Sequence, residues 1–246
     1  MTSPSSGRAS IDVPESPSKN VESSNQTFDG ASSVTSVRKK LGALSQWLFR
    51  HAAALVYGCV ALALLAWVTR DAFFVRVITF SPGSDYWEHS ATMRALMDSP
   101  WRPRNPHLDS LDPSPRFVPV FLLSALLARA FALDSQGAMA IAAVINTALF
   151  LGGIYVFFRV YFQSKIAPLF GLVVMFASWW DAWHFSNVYQ LKIYFSVASY
   201  PSTTALAGTL FLFAGAVAEL RASRERWFRL AVLVIGWAFV LVTHQL

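Results

Sequence analysis

F-V-P-V-F-L-L-S-A-L-L-A-R-A-F-A-L, residues 117–133, is the stretch whose reading decides how this chain passes through a membrane. It is mostly apolar, yet it is short, carries Pro119 near its start and holds Arg129 near its end. The basic residues that follow arbitrate. Suppose the stretch crosses. Then Asp134-Ser135-Gln136 lies inside, and Arg159, Lys165 and the cluster Arg221, Arg224, Arg226 and Arg229 fall outside. That inverts, twice, the tendency of Lys and Arg to remain on the cytoplasmic side. Suppose instead that the stretch rests on the outer surface or only dips in. Residues 138–158 then cross inward, 166–180 outward, 201–220 inward and 230–246 outward, and every basic cluster is cytoplasmic. The second arrangement is the expectation. With residues 52–68 as the first crossing it gives five spans. Residues 166–180 are the thin one. At about 1.5 Å per residue they fall short of a hydrocarbon core of about 30 Å, so the run extends into 181–183 or thins the bilayer locally.

The composition agrees with a helical membrane protein. Of 246 residues, 54% are hydrophobic and 14% charged, against about 25% charged in soluble domains. The net charge of +6 is modest. Its basic residues sit at the ends of apolar runs, as topology signals do, so no nucleic-acid partner is read from them. Cys59 is the only cysteine, which rules out an intrachain disulfide. Residues 1–36, rich in Ser, Pro, Asn and Gly, cannot bury a core and read as a disordered cytoplasmic tail. Arg38, Lys39, Lys40 and Arg50 then precede the first apolar run. That run begins far from Met1, so it is an uncleaved anchor in a multi-pass cell-membrane protein with its N-terminus inside. Residues 37–246 form the transmembrane domain, with outer loops at about 70–137 and 181–200. The chain ends at Val242-Thr243-His244-Gln245-Leu246 inside an apolar run. The expectation is a fragment of a longer protein, inactive alone.

Residues 81–116 gather the polar chemistry. Tyr86, Met93, Leu96 and Met97 recur at helical steps, and Pro100 and Pro103 end the pattern. This predicts a short amphipathic helix lying at the outer interface, with Trp87 and Trp101 at a suitable depth. Asp85, Glu88 and His89 have spacing i, i+3, i+4 and share one edge of its first turn. Such an edge can hold a base or a divalent ion. The same spacing is also a capping box, with Asp85 as N-cap and Glu88 at N3. Arg116 follows Pro113-Ser114-Pro115. It is either a fork of donors for a lipid-linked phosphate or an interfacial anchor. Asp181 and His184 open the second outer loop and Lys192 follows; there too a substrate-facing role competes with an ordinary interfacial belt. The sequence contains no Gly-rich nucleotide loop, no Cys/His metal spacing and no G-x-S-x-G elbow. Nucleotide-sugar, kinase and serine-hydrolase chemistry therefore have no motif to rest on.

The order of parts is similar to that of a known family. A first span leads into a long outer loop that opens on Gly83-Ser84-Asp85-Tyr86-Trp87-Glu88-His89. A second helix follows Pro113-Ser114-Pro115-Arg116-Phe117, and short-looped spans come after. Over roughly residues 52–246 this resembles the N-terminal half of the GT-C superfamily, membrane glycosyltransferases that use polyprenyl-phosphate sugars. The resemblance implies an all-α polytopic fold with about five spans and two interfacial helices in the first outer loop. It implies transfer of a sugar from a polyprenyl-phosphate donor to an acceptor on the outer face, with membrane lipids and the lipid-linked sugar as partners. Asp85 would be the general base or a metal ligand, with Glu88 as the next acid. His89, Arg116, Asp181, His184 and Lys192 would bind substrate, Arg116 at the lipid phosphate. The family often has two adjacent acids; here Tyr86 follows Asp85, which leaves a divalent metal ion open as cofactor. The rival reading is a non-catalytic transporter or polysaccharide-export component, which would carry charged residues along a mid-span pathway.

Overall fold

A computed structural model describes residues 30–75, 85–108, 110–112, 114–178, 189–191, 194–222 and 227–243. The chain divides into two units, residues 1–47 and 48–246; the site and its scaffold belong to the second. The described residues are helical apart from connecting turns and one isolated bridge between Asn105 and Ser110. The helices are α1 (Gly30–Arg70), extended by a π-helical turn at Asp71–Val75, then α2 (Tyr86–Asp98), α3 (Pro119–Ala130), α4 (Ser135–Phe162), α5 (Ala167–Ala177), α6 (Tyr194–Ala198), α7 (Pro201–Leu220) and α8 (Trp227–Thr243). Residues 1–29 of the tail read as disordered lie outside the described residues, whereas residues 30–36 are the first turns of α1.

Among the described residues, three helices are long and apolar enough to cross a membrane: His51–Phe74, Ser135–Phe162 and Pro201–Leu220. Helix α3, whose reading decided the topology, has 12 residues and is about 18 Å long, far short of a bilayer core of about 30 Å. Prolines set where several helices begin. Pro119, Pro168 and Pro201 occupy first-turn positions of α3, α5 and α7, where a missing N–H costs no intrahelical bond. Helix α5 has 11 residues and α8 has 17, about 16 and 25 Å, so neither reaches the length of the other three.

Helix α4 is the central post. It packs against α2, α3, α5, α6, α7 and the π-turn. Its contact with α7 needs a small residue. A Cβ on Gly153 would lie 3.0 Å from the Ala207 carbonyl oxygen and 3.2 Å from the Leu210 Cβ, so hydrogen alone lets the two backbones approach this closely. Lower in α4, Asn146 is fully buried and bonded on every side. Its Nδ2 donates to the carbonyls of Ala198 (2.9 Å) and Tyr200 (3.1 Å), and its Oδ1 accepts from the Thr204 hydroxyl (2.6 Å). These carbonyls sit at the break between α6 and α7, and that of Tyr200 also accepts from the Thr203 N–H at 3.0 Å. Thr147 accepts from the Tyr194 hydroxyl at 3.2 Å and donates to Ala143 O at 2.7 Å.

Helices α3 and α4 form a tight hairpin. The Leu133 N–H reaches Ala128 O (2.9 Å) and the Ala132 N–H reaches Arg129 O (3.1 Å), with Ala132 left-handed at φ 54°. This is the Schellman pattern that closes a helix C-terminus. Asp134 then caps α4 by accepting from the Gly137 N–H at 2.7 Å. The hairpin carries α2 on its flank. Met93 and Leu96 of α2 are buried with Val118, Val120, Phe121, Ala125 and Ala128 from the α3 segment and Ala138, Met139 and Ala142 of α4. The apolar face of α2 expected at the membrane interface is thus turned onto protein. Leu123 and Leu126, on the other side of α3, remain exposed.

Candidate functional site at the start of helix α2

The site is built where α2 begins and α3 is entered. Asp85 occupies the N-cap position of α2, but its side chain makes no capping hydrogen bond. Its backbone has φ −67° and ψ 2°, not the extended conformation that lets an N-cap side chain turn back onto the first N–H groups. Asp85 is exposed. Glu88 does not close a capping box either. Its carboxylate is ion-paired with the Arg116 guanidinium, across 28 residues of chain; the two side chains are 45% and 33% exposed.

Arg116 is held by a turn. The Ser114 hydroxyl accepts from the Arg116 N–H at 3.3 Å and the Ser114 carbonyl accepts from the Phe117 N–H at 3.0 Å. Ser114 is buried, so the turn is fixed from below. The chain then runs into Val118 in an extended conformation and starts α3 at Pro119. The far end of the α2–α3 pair is tied as well: Arg129 donates from Nη1 to Met97 O at 2.7 Å. That carbonyl is one of those α2 leaves open at its C-terminus, and a cation suits the negative end of the helix dipole.

His89 differs from its neighbours. It is 7% exposed and its ring meets Phe121 and Tyr200 edge to face, at centroid separations of 5.2 and 4.6 Å. Burial pushes its pKa down to about 4, the nearby Arg116 charge adding to the shift and Asp85 opposing it. The ring is therefore neutral at pH 7, and its Nδ1 is buried without a hydrogen-bond partner. As placed, His89 fills the seam between α2, α3 and the start of α7.

The structure thus gathers Asp85, Glu88, His89 and Arg116 within one turn of α2 and the entry to α3. Asp181, His184 and Lys192 lie outside the described residues. Tyr200 and Phe121, which frame His89, gave no signal in the sequence: Tyr200 reads only as the residue before a proline helix start, and both are more than thirty positions from His89. Beside the site, on the other side of Tyr86, a cleft opens between the π-turn, α4 and α6, lined by Val68, Asp71, Met139, Ala140, Phe195 and Ser199.

Among the described residues, Asp85, Glu88 and His89 do not converge on a metal site. No three His, Cys, Asp or Glu side chains converge to hold an ion among the described residues. Glu88 is committed to Arg116, and His89 is turned into the core. What the arrangement offers is an exposed carboxylate, Asp85, one turn from a guanidinium that can exchange its partner. Comparison of the chain with protein-family models, curated proteins and solved structures found no match.

Proposed function

We propose that this chain is a GT-C-like membrane glycosyltransferase that moves a sugar from a polyprenyl-phosphate carrier to an acceptor at the outer membrane face. The observation that carries the proposal is the pairing of Arg116 with the first turn of α2, beside an Asp85 whose carboxylate is not used as a cap. In the reaction, Asp85 takes the proton of the acceptor hydroxyl. The acceptor oxygen forms a bond to the anomeric carbon as the bond from that carbon to the phosphate oxygen breaks. The lipid phosphate leaves with the electron pair, and Arg116 holds its charge. No step is assigned to a metal ion.

The topology in this reading has five crossings, α5 and α8 making up the number with α1, α4 and α7, and keeps α2 and α3 outside. The length of α3 supports it. Transport is the weaker alternative. A pathway needs polar groups facing a lumen, and the polar residues in mid-α4, Asn146 and Thr147, are consumed by bonds to α6 and α7.

Donor binding tests the proposal. Glu88 neutralises Arg116 in the resting state, so a phosphate must displace it. With the purified chain in nanodiscs and a short-chain polyprenyl phosphate as ligand, Arg116→Ala is expected to weaken binding about tenfold or more. Glu88→Gln is expected to strengthen it several-fold, because two like charges a few ångströms apart cost about 1 kcal/mol even in water. Binding indifferent to both substitutions would remove Arg116 from the donor site.

A further inference from the structure

A second flank of α2 borders a groove of about 600 Å³, within the range of small-molecule sites, ~300–1,000 Å³. At about 100° per residue, Trp87, Arg94 and Asp98 fall within about 40° of one another around the helix axis, and Glu88 lies about 100° away. The groove is therefore separate from the Glu88–Arg116 pair. Its other wall is the loop at residues 104–106, and Ser135 at the head of α4 closes it.

The walls are fixed before any ligand arrives. Asn105, 4% exposed, donates from its N–H to Ser110 O at 2.6 Å and accepts from the His107 N–H through Oδ1 at 3.0 Å. Ser90 Oγ donates to Ser135 Oγ at 3.3 Å, joining α2 to α4. Arg129 secures the end of α2 through Met97 O.

The lining narrows the ligand. It combines seven polar or charged residues with Trp87, Ala91, Ala95 and Pro106. Asp98 is the one carboxylate in it, too few for a divalent cation. Arg94 and Arg104 line it with that one carboxylate, and Trp87 is the single aromatic residue, whereas a nucleic-acid strand needs a basic track and successive stacking platforms. Trp87 is 48% exposed, its ring edge to face with Tyr86 at 5.9 Å. Arg94 and Asp98 are 75% and 72% exposed and only loosely paired, at 3.9 Å, an exposed pair too weak to hold either side chain from a ligand. An aromatic plate, planar N–H donors and a carboxylate acceptor together match a ring with one C–H face and a rim of hydroxyls.

We propose that this groove binds a saccharide, its C–H face on Trp87 and its hydroxyls on Asp98 and Arg94. Binding stands on the groove alone; that the saccharide is the acceptor rests on the transfer reading. The test is retention of the purified chain on an array of short gluco-, manno-, galacto- and arabino-oligosaccharides. Wild type is expected to bind at least one of them saturably. Trp87→Ala and Asp98→Asn, both at exposed positions, are expected to lose at least tenfold, while Leu123→Ala, exposed on α3 and outside the groove, binds as wild type does. No retention by the wild type, or unchanged retention by the Trp87 and Asp98 variants, overturns the proposal. Polyprenyl-phosphate binding indifferent to Arg116→Ala and Glu88→Gln, with saccharide retention intact, would instead overturn the transfer reading and leave this one standing.

Discussion

His89 is neutral at physiological pH because Phe121 and Tyr200 leave no water to carry its charge. The charged and titratable groups felt by the ring are Arg116, Asp85 and His107. The consequence for stability has a definite sign. Its folded pKa, about 4, is below the unfolded value of about 6.5, so the unfolded chain takes the proton first. The stability tied to the neutral ring is complete above pH 6.5 and falls as the pH drops from about 6.5 to about 4, by on the order of 3 kcal/mol in all. His89→Phe keeps the aromatic packing and cannot titrate. Between pH 7 and pH 5 the thermal midpoint of wild type should therefore drop further than that of His89→Phe, followed by tryptophan fluorescence in detergent. Equal drops would mean that the ring is hydrated. Burial of His89 was not legible in the sequence, where it shares the polar edge of Asp85 and Glu88. The capping box was legible as a pattern, but a competing ion pair with Arg116 takes Glu88 away. Local spacing cannot report a partner 28 residues distant.

The elements follow the sequence more closely. The face Tyr86, Met93, Leu96, Met97 is the packed face of α2, and the prolines begin α3 and α7 where the pattern put them. What the pattern could not say is what covers that face, since lipid and an apolar helix accept the same residues. Arg129, an oddity in an apolar run, serves as a bond donor to the end of α2. Asn146 left no mark in its run, because a single amide in an apolar stretch has no periodicity. Yet it fastens the α6–α7 break to α4 through three bonds. Asn146→Ala would leave the Ala198 and Tyr200 carbonyls and the Thr204 hydroxyl without this partner. The expected cost is on the order of 2 kcal/mol, less than three separate bonds suggest, because a chain unfolded within a membrane finds other partners. The measurement is the thermal midpoint in detergent. An unchanged midpoint would show that the amide is not needed to hold the break.

For the whole molecule, a helix of about 18 Å where the sequence places the disputed run favours keeping α2 and α3 on one side of the membrane. With Cys59→Ala as background, an impermeant thiol reagent should label Leu108→Cys from outside in intact cells, and Ser164→Cys and Ala222→Cys only after permeabilisation. Outside labelling at position 164 would mean that residues 117–133 cross. This topology rests on the basic clusters, since charge sidedness can be read without any knowledge of packing. The chemistry was legible only as a choice between roles, because the spacing of Asp85 and Glu88 suits both a cap and a base, and in the structure Asp85 makes no capping bond. Asparagine separates them: it caps about as well as aspartate but cannot accept the acceptor's proton. The deciding measurement is the rate of sugar transfer from a polyprenyl-phosphate donor, in membranes of cells that make the protein, for wild type and Asp85→Asn at matched amounts of folded protein. The account predicts a fall of about two orders of magnitude or more with Asp85→Asn and no change in thermal midpoint; transfer at the wild-type rate would contradict it.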